Sequence, residues 1–129
     1  MASVPASRPD RAASREVLRL PVSEIVKYLV GLIGRKLTAY VGGARNVRVV
    51  DRWMNGSELH GDAEHRLRFA FQLVRMLAEK ENPMAIQSWL TGLNPELGDR
   101  VPLRLIRQND LEAVAPEIIG AARAFLVGG

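Results

Sequence analysis

Apolar residues recur at helical spacing along almost the whole chain. Ile25, Val26, Leu29, Val30 and Ile33 fall at i, i+1, i+4, i+5 and i+8, which places them on one face of a helix. Pro21 and Ser23 mark its start and Gly34 its end. A second short helix is expected over 35–41, stopped by Gly42 and Gly43. A third is expected over about 47–54, with Asn46 as N-cap and Gly56 as the stop. Leu67, Ala70, Phe71, Val74 and Leu77 form a stripe on a longer helix over about 62–80, capped by Asp62. Phe69, Leu73 and Met76 widen the stripe and predict burial on two sides. Asn82 and Pro83 pair an N-cap with a first-turn proline and open a helix that ends near Thr91. Another short helix is expected from Pro102 to Arg107. Asp110 is expected to cap a turn through Val114, and Pro116 to restart the chain as a last helix with Ile118, Ile119, Ala122, Phe125 and Leu126 on one side. Val47 to Val50 is rich in β-branched residues but has neither alternation nor a partner segment, so the chain reads as all-α.

The 129 residues suffice for one modest core or two very small ones sharing an interface. With 47% hydrophobic and 25% charged residues the composition is that of a globular domain, and no apolar run approaches the ~20 residues of a bilayer span, so no membrane role is expected. The absence of cysteine removes disulfide and thiolate chemistry and fits a reducing interior. Residues 1–20, rich in Ala, Ser, Pro and Arg and lacking a signal-type apolar stretch, read as a disordered basic tail, and the cytoplasm is the expected location. Charge is distributed unevenly. Residues 1–56 hold ten Lys/Arg against four Asp/Glu, a net +6, whereas residues 57–129 hold eight against ten, a net −2. Residues 21–56 alone carry +4, with six basic and two acidic side chains. A basic half joined to a slightly acidic one suggests one face for an anionic polymer and another for a different partner.

The basic half, 21–60, fits a helix-turn-helix. Ala39 is small enough for close helix approach, Gly42 and Gly43 permit a sharp turn, and Asn46 caps the next helix. Val50 and Trp53, at i and i+3, should face inward as anchors, with Val49 helping. The opposite face then carries Arg45, Arg48, Asp51, Arg52 and Asn55. Arg48 and Arg52 suit guanine edges or phosphates, Asn46 lies at the end nearest the bases, and Lys36 and Arg35 suit backbone contacts. Lys36, Arg45, Asn46, Arg48 and Arg52 are therefore the candidate contacts to double-stranded DNA. Surface arginines on a helical hairpin occur equally in proteins that never touch DNA. The run Val49-Val50-Asp51-Arg52-Trp53-Met54-Asn55-Gly56 resembles the end of the recognition helix in Xre-type repressors, although the turn before it is slightly longer than usual.

In the second half, 61–129, Trp89-Leu90, Asn94-Pro95 with Leu97-Gly98, Arg100, and Pro102-Leu103 with Leu105-Ile106 recur in a fixed order after the helix that begins near Leu67. This pattern, over about Leu67 to Leu111, resembles the toxin-binding domain of the Xre/MbcA/ParS antitoxin family. The resemblance implies an N-terminal Xre-like helix-turn-helix bundle followed by a small helical toxin-binding domain. It also implies a cytoplasmic antitoxin that neutralises a RES-domain toxin, an enzyme acting on NAD, binds its own promoter, and forms dimers. The family tends to close with one short helix, whereas Pro116 is expected to divide the stretch 110–126 here. On packing grounds Trp89, Leu90 and Leu93 should seat against Phe71, Val74 and Leu77 as core, with Leu97, Leu103 and Ile106 on the other side. Arg100 is either a local salt-bridge donor or a fork presented to a partner. The last helix either closes its own domain or offers Ile118, Arg123, Phe125 and Leu126 to a partner groove.

Catalytic patterns are absent from the sequence. His60 and His65, five apart, do not share a helix face as zinc-binding pairs do, and no metal or cofactor is expected. Gly31, Gly34, Gly42 and Gly43 lack the Lys-Ser/Thr pair of a phosphate loop, and no Ser, His and carboxylate set suggests a triad, so enzyme activity is not expected. The competing functional reading is a stand-alone DNA-binding regulator whose second half mediates dimerisation.

Overall fold

The computed structural model describes residues 20–57, 59 and 61–128. The tail expected over 1–20 lies outside these residues except for Leu20, as does His60. The described chain is all-α: α1 (Val22–Val41), α2 (Arg48–Met54), α3 (Asp62–Ala78), α4 (Pro83–Thr91), a 3₁₀ turn (Pro95–Leu97), α5 (Pro102–Gln108) and α6 (Leu111–Gly128).

The glycine expected to end the first helix does break it. Gly34 has φ 86° and ψ 166°, a conformation that side chains with a Cβ rarely adopt, and it divides α1 into segments 22–33 and 35–41. The buried Thr38 hydroxyl donates to the Gly34 carbonyl at 2.7 Å, satisfying an acceptor at the break. Ile25, Val26, Leu29 and Ile33 are buried as their spacing predicts.

Helix α3 lies at the centre, packed on α1, α4 and α6. Leu67, Phe69, Ala70, Phe71, Leu73, Val74, Met76 and Leu77 are all buried, so both of its sides are covered. Its start differs from expectation. Gly61, at φ 71°, is the N-cap, and Asp62 is the first helical residue, with no side-chain cap bond. The Asp62 carboxylate instead complements the positive end of the helix dipole. The helix ends at Ala78 rather than Lys80. Asn82 caps α4 by accepting from the Ala85 amide at 2.9 Å, with Pro83 in the first turn.

Beyond α4 the chain makes a closed turn around Asn94, which is buried. Its side chain accepts from the Glu96 amide (2.9 Å), its carbonyl from Leu97 (2.9 Å) and Asp99 (2.8 Å), and its amide donates to the Arg100 carbonyl (3.2 Å). Gly98 and Asp99 both have positive φ, at 65° and 61°; asparagine and aspartate are the non-glycine residues that best tolerate this region.

The break expected at Pro116 does not occur: α6 runs unbroken from Leu111 to Gly128 with Pro116 inside it. A proline at this sixth position forfeits one backbone hydrogen bond and crowds the preceding turn, at a cost of about 3 kcal/mol. Val114 and Ile118, one turn apart on either side of the proline, are both buried, and their packing outweighs that cost. Ala121 and Ala122 continue the buried face. Among the described residues one apolar cluster extends from Ile25 to Ala122 and crosses the boundary expected near residue 60.

Candidate functional site

The turn between α1 and α2 is held by contacts from α2, α3 and α5. Val50 and Trp53 are buried as anticipated and hold α2 against the core. The Trp53 ring lies so close to Gly42 that a Cβ there would sit 2.6 Å from Cη2. Arg66 of α3 donates from Nε to the Val41 carbonyl (3.2 Å) and from Nη2 to the Gly42 carbonyl (2.9 Å). Arg107 of α5 donates from Nη1 to the carbonyls of Tyr40 (2.7 Å) and Ala44 (3.2 Å), with its guanidinium 4.6 Å from the Tyr40 ring centroid. Arg66 satisfies carbonyls at the end of the helix, and Arg107 adds a second donor to the Tyr40 carbonyl, which also accepts from the Gly43 amide at 3.0 Å. Periodicity gave no hint of them, because they act across 24 to 67 positions of sequence.

Around this turn Lys36, Arg45, Asn46, Arg48 and Arg52 are all exposed. The N-cap of α2 is Val47 rather than Asn46, which lies one residue further out, where its side chain accepts from the Arg48 amide at 3.0 Å. Arg48 and Arg52, four apart, share the outer face of α2. Arg35 pairs with Asp51 at 2.6 Å; both are about half exposed, so the pair contributes little to stability. Lys36, Arg45 and Asn46 meet elsewhere, around a hollow of about 650 Å³ that is also lined by Tyr40 and Arg107. The five candidates thus divide into a helix face and a hollow beside it.

The candidate partner residues are less united. Arg100 is engaged within its own half, donating from Nε to the Leu97 carbonyl (2.6 Å) and from Nη2 to Glu117 (2.9 Å). This is the local role, rather than a free fork. Ile118 is completely buried and cannot meet a partner, because α6 turns that face onto the core of its own chain. Arg123 is exposed, and Phe125 and Leu126 are half-buried.

Two residues expected in the core lie at the surface instead. Leu93 is 72% exposed, because Gly92 leaves α4 in an extended conformation (φ −91°, ψ 165°) and carries the chain outward. Trp89 is only half-buried, with its ring 6.2 Å from that of Phe125. Trp89, Leu93 and Phe125 line a groove of about 280 Å³ with Asn94, Pro95 and Ala124. Leu93 carries the only available sequence signal: an apolar residue directly after a helix-ending glycine, before Asn94 and Pro95.

No family model, curated protein or solved structure matches this chain.

Proposed function

We propose that the protein is an antitoxin of the Xre/MbcA/ParS kind, a cytoplasmic homodimer that binds its own promoter through α2 and neutralises a RES-type toxin through its second half. The observation that carries this reading is the division of α2 into two faces. Val50 and Trp53 anchor one face in the core while Arg48 and Arg52 stand exposed on the other. A short, rigidly seated helix with long donors on its free side suits a DNA groove. The toxin-facing surface in this reading is the apolar groove of Trp89, Leu93 and Phe125.

The test has two arms. In a gel-shift assay on the DNA upstream of its own reading frame, replacing both Arg48 and Arg52 with alanine should weaken binding by at least tenfold. It should also flatten the salt dependence by about two units of slope. Unchanged binding removes DNA recognition from α2. In the second arm, co-expression with the neighbouring RES-type toxin should relieve growth arrest, and Leu93→Asp should abolish the relief. The engagement of Arg100 and Ile118 within the chain favours a second reading, a stand-alone regulator whose groove serves dimerisation. DNA binding without relief of any toxin selects that reading.

A further inference from the structure

The hollow beside the turn has a chemistry of its own. It lies where the end of α1, the turn 42–47 and α5 meet, and three of its lining residues are cations: Lys36, Arg45 and Arg107. Among the described residues no carboxylate lines it, and none forms an ion pair with any of the three. Arg107 is preorganised. One nitrogen is held by the carbonyls of Tyr40 and Ala44 and the guanidinium plane is held over the Tyr40 ring, which fixes the direction of its remaining N–H groups. Between the cations the surface is apolar, formed by Leu37, Tyr40, Ala44 and Val47.

We propose that this hollow binds a free nucleoside phosphate, with the phosphates gripped by Lys36, Arg45 and Arg107 and the base laid on the apolar wall. Its volume of about 650 Å³ is far more than an inorganic anion needs. It falls within the ~300–1,000 Å³ typical of sites for small organic ligands. Three cations without a counter-carboxylate match the charge of a diphosphate, and guanidinium forks bind phosphate oxygens in pairs. The apolar wall gives the ligand a second requirement, a flat hydrophobic part attached to the anion. A nucleotide seated there would cover Lys36, Arg45 and Asn46 and bridge the turn to α5. Its binding depends on nothing in α2 beyond the turn and needs no duplex.

The experiment is calorimetric titration of the full chain with ADP, with adenosine and pyrophosphate as comparators. One ADP should bind per chain, more tightly than either comparator and more weakly as salt rises. Lys36→Ala and Arg45→Ala remove exposed side chains and should each weaken ADP binding by about tenfold, with the circular dichroism spectrum unchanged. Arg107→Lys keeps the charge but loses the fork, and should weaken binding as well. Absence of ADP binding at millimolar concentration overturns the proposal, as does ADP binding that is indifferent to Lys36→Ala and Arg45→Ala. Pyrophosphate binding as tightly as ADP overturns it too, since the apolar wall would then contribute nothing.

Discussion

Gly42 occupies its place for want of room rather than for backbone freedom. Its φ of −76° is open to any residue, but an added Cβ would lie 2.6 Å and 2.9 Å from two atoms of the buried Trp53 ring. Gly42→Ala should therefore destabilise the fold by about 1–3 kcal/mol, the usual cost of overpacking, measured as a lower urea midpoint. At the neighbouring carbonyls the effect is one of solvation. Arg66→Ala leaves the Val41 and Gly42 acceptors without their partner, and the expected loss is about 1–3 kcal/mol in the same assay. Residue-scale features were legible in the sequence where their physics is local. Asn82 caps the helix that its own proline begins, and Asn46 bonds an amide two residues on. Arg66 and Arg107 were not legible, since their partners lie far away in the chain and an arginine shows no preference for distant carbonyls. Asp62 yielded the cap to Gly61 because the chain enters α3 at a positive φ.

Helix α6 contains both the clearest misreading and the clearest opportunity. Proline punctuation is a local rule, and here tertiary burial overrides it. Because Pro116 sits inside a continuous helix, Pro116→Ala should restore one hydrogen bond and stabilise the protein by about 1–2 kcal/mol. The melting temperature should rise by several degrees. The two sides of the second half should respond oppositely to substitution. Ile118→Ala opens a cavity in the core and should cost about 2–5 kcal/mol, whereas Leu93→Asp alters an exposed position and should leave stability within about 0.5 kcal/mol. Thermal melts of both variants check this directly. The stripes on α1 and α3 were readable because burial on them follows a period of 3.6. Leu93 was misread because hydrophobicity alone does not show which side of a turn a residue will leave on, and Gly92 sends it outward, whereas Trp89, inside α4, is half-buried beside Phe125.

At the scale of the molecule, the apolar cluster ties the basic and acidic halves of the sequence together. Removing residues 116–129 would strip Ile118, Ala121 and Ala122 from that cluster, so the truncated chain should lose its cooperative melt by circular dichroism. The all-α class was legible from helical periodicity and the absence of strand alternation. The way the halves share a core was not, since it depends on helix contacts between segments dozens of residues apart. The arginine clamps on the turn carry a further consequence, for the order of folding. Tyr40, Ala44, Val41 and Gly42 emerge from the ribosome well before Arg66 and Arg107, and the Arg107 contacts close loops of 63 and 67 residues. Loops of that size close late because their ends must first find each other. The nascent turn therefore lacks its Arg107 contacts until α5 has been synthesised. The turn between α1 and α2 is thus among the last parts of the fold to acquire its final shape.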